Sequence, residues 1–493
     1  LRLHLSRSGG NMAFASALRA GIARDTIFCG RHAAVAARNV GVRRMAAASA
    51  VAGPEAPPLY SEAVLKAPET QMGKLNNGVR VATQAGSGPL ASLSVSVDVG
   101  TRYENKQNNG VCSVIGAAGF KGKEASIAAM GGQFSVVVDR EHVTYSATVL
   151  KADVPKAMEI LATAAKGSNI SSETVEAAKH GVQADIAAAH ANPQLNLMDH
   201  LHDAAFLDTA MGMPAIGTAT TVDALTADDV KAFADRSVAG PRVIVAGAGA
   251  VHQGALTDVS ESLLGGLVAT PPTAIEETLE PAYFIGSDKR MRFDSMKDAK
   301  LAVAFRGPAA GSEYSMPIML MKALFGNYDE TSLVGDNAAT KWRQDMASLN
   351  LAKSASPFYL PYKDAGLIGV QGVVADNNLD NFMWYTMWNL MYLCHKVTEA
   401  EVEMAKTHLK AAILQKTSGA VGASADIARQ IMQHGRRISA AELVARVDSI
   451  TVNDVRKTAS MFINDQDHAL AAVGPIHELP DYNWIRRRSF WLR

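Results

Sequence analysis

No stretch of this chain approaches the ~18 uncharged apolar residues that a membrane-crossing helix needs. The most apolar run, Asn381 to Leu393, is too short to span and reads as a packed helix. Cysteine is scarce: Cys29, Cys112 and Cys394 cannot build a disulfide framework, and their scarcity fits a reducing or neutral compartment. Charge of either sign is not in excess, with 48 Lys and Arg against 48 Asp and Glu. That balance argues against binding nucleic acid through bulk positive charge.

What is present is a globular composition. The 493 residues are 48% hydrophobic and 19% charged, enough for two to four domains. The neutral total hides an asymmetry. Residues 1–50 hold eight arginines, no lysine and one acid, Asp25, and so carry +7; the other 443 residues carry −7. An Arg-rich, acid-poor leader full of Ala and Ser reads as an organellar transit peptide; a disordered basic tail is the plainer alternative.

The rest of the chain repeats itself. Leu225-Thr226 with Asp229-Val230-Lys231 matches Ile450-Thr451 with Asp454-Val455-Arg456. Val175-Glu176 with Lys179 matches Val402-Glu403 with Lys406. The glycine-ended run Val243 to Gly249 matches the run that ends at Gly474. Three matches at nearly one offset, in one order, imply two homologous halves. The run 267–282 has three prolines, an acidic cluster and no amphipathic period, so it is expected to be the linker. The expected divisions are a leader at 1–50, a first half at 56–266 and a second half at 283–493.

Each half reads as strands, then helices. Val79 to Thr83, Ala91 to Val99, Phe134 to Val138 and Val143 to Leu150 have strand period. Glu124 to Met130, Asp153 to Ala165, Ser172 to His190 and Gln194 to Phe206 read as helices. Thr226/Asp229, Thr398/Glu401 and Thr451/Asp454 are capping boxes that start helices. The expected class is α+β: in each half antiparallel sheets with helices packed on one face.

The segment Gly100 to Gly122 carries the chemistry. Gly100-Thr101-Arg102-Tyr103-Glu104-Asn105, Asn109-Gly110 and Phe120-Lys121-Gly122 resemble the flanks of the inverted zinc motif H-x-x-E-H in pitrilysin-type metallopeptidases. The likeness continues through Arg140-Glu141-His142, Asp199-His200-Leu201-His202, Gly435-Arg436-Arg437-Ile438, Leu479 to Asn483 and Phe490-Trp491-Leu492. It covers nearly all of 58–493 and is strongest to the branch holding the mitochondrial processing peptidase β-subunit and core protein 1 of ubiquinol–cytochrome c reductase (complex III). The α-subunit's glycine-rich loop is not matched, because Phe325 to Thr331 is followed next by Gly335 alone.

In that family two histidines one helical turn apart hold zinc and the glutamate between them activates a water. The resemblance places those three positions at Ser113, Gly116 and Ala117, and the distal glutamate at Asp185. A serine hydroxyl does not ionise near neutral pH, glycine and alanine offer no donor, and one carboxylate does not hold zinc. The segment from Gly122 to Met130 is also shorter than the family's. Of the acids that receive a presequence arginine in the peptidase β-subunit, Asp199 remains after Gln194 but Leu195 replaces its companion. That loss removes a charge-assisted bond of about 1.5–3 kcal/mol.

Other candidates are weaker. His200 and His202 point about 200° apart on a helix and cannot share an ion with His190, so surface or partner-facing roles are expected for all three. Cys112 with His142 has nothing to orient it and reads as core. Gly247-Ala248-Gly249 lacks the third glycine of a dinucleotide loop. The Met and aromatic stripe at 382–392 reads as core or partner interface. The resemblance then implies a catalytically silent, cofactor-free core subunit 1 of complex III. It would sit peripherally on the matrix side of the mitochondrial inner membrane, beside a core protein 2 or α-like homologue, cytochrome b, cytochrome c1 and the iron–sulfur protein. A β-like subunit acting in presequence processing is the alternative, and a mitochondrial or plastid scaffold outside complex III the third reading.

Overall fold

The computed structural model describes residue 64 and residues 68–86, 88–192, 196–269, 279–332 and 338–490. The expected leader, the prolines at 271 and 272, Gln194, Leu195, Gly335, Trp491 and Leu492 lie outside them. Residues 58–493 form one compact unit.

The first half runs β1 Thr70–Lys74, β2 Arg80–Ala85, β3 Leu90–Val97, α1 Val111–Ala118, α2 Glu124–Met130, β4 Gln133–Val138, β5 Val143–Leu150, α3 Val154–Ala165, α4 Ser172–Ala191, α5 Leu197–Ala205, α6 Ala219–Ala224, α7 Ala227–Ser237, β6 Val243–Gly249 and α8 Gln253–Leu264. The second runs β7 Asp288–Arg292, β8 Asp298–Gly307, α9 Ser315–Phe325, β9 Tyr328–Asp329, α10 Lys341–Ser348, β10 Ser354–Pro361, β11 Gly366–Ala375, α11 Leu379–His395, α12 Glu399–Thr417, α13 Ala420–His434, α14 Ala440–Asp448, α15 Val452–Phe462, β12 His468–Gly474 and α16 Tyr482–Arg488.

The described strands make two six-stranded sheets, β1-β2-β6-β3-β5-β4 and β7-β12-β8-β11-β10-β9. Both are mixed, which corrects the antiparallel expectation. The last strand of each half inserts between the first two long ones. Since β2 and β3 run in opposite directions, β6 must be parallel to one of them. It pairs antiparallel with β3 (Val95 opposite Val245) and parallel with β2 (Val81 opposite Val245). In the same way β12 is antiparallel to β8 and parallel to β7.

The repeat is also visible in detail. All three expected capping boxes form, at Thr226, Thr398 and Thr451. The matched lysines do the same work in both halves. Buried Lys179 donates to Glu176 and to the carbonyls of Asp223 and Leu225, beside the end of α6. Buried Lys406 donates to Glu403 and to the Asp448 carbonyl at the end of α14. A cation there meets the negative end of the helix.

Each half keeps its own helices on one sheet face, as expected. The other face is covered by a helix from the opposite half. Leu197, Leu201 and Ala204 of α5, followed by Phe206, pack on Ala302, Ala304, Ala469, Ala471 and Val473 of the second sheet. Ile427, Ala428 and Ile431 of α13 pack on Ala82, Ile244 and Ala246 of the first. The small residues of β6 and β12 let these helices approach closely. The alternation of β3 is therefore not apolar-in, solvent-out. Ser92, Ser94 and Ser96 are buried, and Ser92 Oγ lies 2.9 Å from Ser424 Oγ of α13.

A polar latch completes the joint. The β10–β11 turn reaches into the first half, where Arg102 bridges Glu141 (2.7 Å) and Asp364 (2.5 Å). The Lys363 N–H donates to both Glu141 carboxylate oxygens, and Lys363 Nζ lies 2.8 Å from Asp98. Burial opposes the charge on Arg102, but its bonds to Asp364 and Glu141 outweigh this and hold its pKa above the ordinary value. Glu141→Ala leaves the buried Arg102 guanidinium with Asp364 as its remaining carboxylate and takes the acceptor from the Lys363 N–H. The substitution is expected to cost about 1.5–3 kcal/mol in urea unfolding, the range for a hydrogen bond to a charged group. A loss under about 1 kcal/mol would contradict the role given to this latch.

Candidate functional site

The helix on which the family motif falls is α1. It starts at Gly110, whose φ of 100° is left-handed and whose side chain cannot cap. The acceptor comes instead from Glu104, which follows a short 3₁₀ turn at Thr101–Tyr103. Glu104 Oε2 accepts from the Gly110 N–H at 2.8 Å and from Asn109 Nδ2 at 2.9 Å. Its Oε1 accepts from the Cys112 N–H at 2.8 Å. A carboxylate thus satisfies otherwise unpaired amides at the positive end of the helix. The quoted motif flanks are therefore structural here: Arg102 and Glu141 latch the halves, and Glu104 anchors the helix.

Ser113, Gly116 and Ala117 all lie on α1, within one turn of each other. The Ser113 hydroxyl donates to the Ala215 carbonyl at 3.0 Å, so it ties α1 to the segment after α5. A Cβ on Gly116 would meet Val138 Cγ2 at 2.7 Å. The place of a glutamate side chain is thus held by a stiff β-branched residue of β4. Ala117 brings a methyl group to the packing around the core. Asp185 sits on α4, which packs against α1, but its own side chain is exposed. Among the described residues no group of three or more His, Cys, Asp or Glu is placed to hold a metal ion. The residues present do not fit zinc.

A cavity of about 380 Å³ lies beside the Ala215 segment, with Ile186, Asp199, His200, Asp203, Asp208 and Lys289 in its wall. Its acids have resident cations: Asp199 bonds Arg140 at 2.6 Å, Asp203 bonds Lys289 at 2.6 Å and Asp208 bonds Lys106 at 3.2 Å. Asp199, the acid the sequence singled out, is thus already paired within the chain. His190 and His200 also line this cavity. His202 does not, which corrects its surface assignment. It is fully buried between the Met198 carbonyl and the Tyr362 hydroxyl, each at 2.6 Å, and burial pushes its pKa well down.

Cys112 is buried core, as expected, and burial followed by Glu104 raises its thiol pKa. His142 faces Asp139 instead. Gly249 has φ of 91°, and a Cβ there would meet the Leu90 carbonyl at 2.4 Å, so this glycine serves close strand approach. Sequence reasoning missed Glu104. The signal was Asn109-Gly110 opening an apolar helix with no Ser, Thr or Asp to cap it.

Burial pushes the Glu104 carboxyl up to about 7, against the pull of its N–H donors. The folded chain then holds a proton that the unfolded chain releases near its ordinary value of 4.5. The stabilising contribution of this group is complete below about pH 4.5 and is lost as pH rises to 7, by about 3 kcal/mol in total. Urea unfolding between pH 4.5 and 7.5 is expected to show a flatter profile for Glu104→Gln than for the wild type. Parallel profiles would refute this.

The profile of Insulinase (Peptidase family M16) matches residues 80–219, and that of the Peptidase M16 inactive domain matches 224–409. The Probable mitochondrial-processing peptidase subunit beta of Arabidopsis thaliana is 32% identical over 440 residues, 87% of this chain and 83% of that protein. The human Cytochrome b-c1 complex subunit 1, mitochondrial, is 31% identical over 442 residues, 88% of this chain and 92% of its own. A chain of Complex III2 from Candida albicans, solved with Inz-5 bound, superposes with a TM-score of 0.79 at 24% identity. It covers 85% of this chain and 100% of its own, a likeness of fold. With both family profiles matched in order and relatives aligned over most of its length, this chain belongs to peptidase family M16.

Proposed function

We propose that this chain is a non-catalytic core subunit of mitochondrial ubiquinol–cytochrome c reductase, bound on the matrix side of the inner membrane. Its role there is to support the assembly, next to a core protein 2 or α-like homologue and the subunits that carry the electron-transfer groups. The observation that carries this reading is the state of α1. Ser113 is spent on the Ala215 carbonyl, Val138 fills the space beside Gly116, and Ala117 offers only a methyl group. Activation of a zinc-bound water by a glutamate has no residues to work with here. Asp185 alone does not replace them. No described helix is long and apolar enough to cross a membrane. We extend the proposal to the basic leader as a transit peptide and to halves divided near 266 and 283.

The alternative is a β-like role in presequence processing, favoured by relatives named for that peptidase. Asp199, paired with Arg140, argues against arginine docking at that point. Two measurements separate the readings. Native complexes from mitochondrial membranes, solubilised in mild detergent, are expected to show this chain co-migrating with cytochrome b and c1 absorbance. The purified chain with its α-like partner is expected to bind less than 0.1 zinc per chain and to leave a presequence peptide uncut. A detergent-independent pool free of cytochrome would refute the first reading, and stoichiometric zinc with cleavage would establish the second.

A further inference from the structure

Helix α11 was expected to be core or interface, and its inner side is core. Met387 and Met391 are buried on its inner side, while Trp384 and Trp388 are 41% and 36% exposed on its outer side. The C-terminal helix α16 crosses beside it, and Phe490, 47% exposed, follows. Between them lies a groove of about 390 Å³ lined by Trp384, Met387, Trp388, Met391, Arg487, Arg488 and Phe490. Among the described residues, every charged one in the lining is an arginine.

Arg488 is held in place. Its guanidinium stacks 3.3 Å from the Trp484 ring and 4.9 Å from the Trp384 ring, and Nη1 donates to the Trp484 carbonyl. Its buried Nε has no acceptor among the described residues. Arg487 is exposed at the rim. Lys396 lies 5.8 Å from the Trp388 ring. Asp380, earlier on α11, is within electrostatic reach of Arg488 but does not line the groove.

Trp, Met and Arg are the residue types concentrated at protein interfaces and their energetic centres. The floor suits apolar side chains, and the positive charge of Arg487 and Arg488 favours carboxylates beside it. A membrane anchor of this composition presents a protruding apolar face to the bilayer. This surface is concave, a shape that seats an inserted segment. We propose that the groove between α11 and α16 docks an acidic segment of a partner protein, with apolar side chains on the Trp and Met floor and carboxylates on Arg487 and Arg488. The inference does not depend on which assembly holds the chain.

The test places a photo-crosslinking p-benzoylphenylalanine at Asn483, an exposed α16 residue one turn before Arg487 and outside the groove lining. The full chain is irradiated in its native mitochondrial complexes and the crosslinked peptide is sequenced. The expected product is a peptide from a different protein, with at least two Asp or Glu flanking apolar residues. Its yield should fall at least fivefold on adding Arg487→Glu, with Arg487→Gln intermediate. The proposal is overturned by crosslinks to phospholipid, to a second copy of this chain or to a peptide without carboxylates. No crosslink, or a yield insensitive to both Arg487 variants in a normally folded chain, would overturn it as well. Co-migration with cytochrome is scored separately, so a partner outside complex III would sink the functional assignment and leave the groove standing.

Discussion

Neither sheet in this chain can bury both of its faces with its own helices. That constraint organises the rest. Each half supplies helices for one face only, and the other face of β6 and β3, or of β12 and β8, is covered by α13 or α5 from the opposite half. Two apolar surfaces would remain in water if the halves parted. Burial at roughly 25 cal/mol per Å² makes such separation costly. The Arg102, Glu141 and Asp364 latch adds direction to this attraction, because a buried ion pair is tolerated only in one geometry.

This arrangement explains how an M16 scaffold keeps its shape when its motif residues are not those of a zinc site. The helix α1 is fixed by Glu104 at its start, by Ser113 on the Ala215 carbonyl and by close packing of Gly116 on Val138. None of these contacts needs a metal. The groups that flank the motif serve the joint between the halves and the helix terminus. They hold the fold whichever chemistry α1 supports.

The same economy appears in the acidic cavity. Asp199, Asp203 and Asp208 are neutralised by Arg140, Lys289 and Lys106 from elsewhere in the chain. An incoming cation would have to displace a resident one. The α11 and α16 groove is the reverse case, since its arginines face no lining carboxylate among the described residues.

Local chemistry made much of this readable from the sequence. The capping boxes at Thr226, Thr398 and Thr451 depend on four consecutive residues, so they form as expected. Helix Glu124–Met130 and strand Val143–Leu150 have the expected bounds because period and flanking glycine or turn residues act within a few positions. The repeat pointed to paired halves. Contacts between distant residues were not readable. The parallel pairing of β6 with β2, the burial of Ser92 and Ser94 under Ser424, and the capture of His202 by Tyr362 join positions more than 150 residues apart. A serine on alternate strand positions looks solvent-facing until another helix is laid over it. The sequence by itself determined which residues could not ligate a metal, because that follows from side-chain chemistry alone. Only the tertiary structure decided what fills their place, because that depends on which neighbours the fold presses against α1.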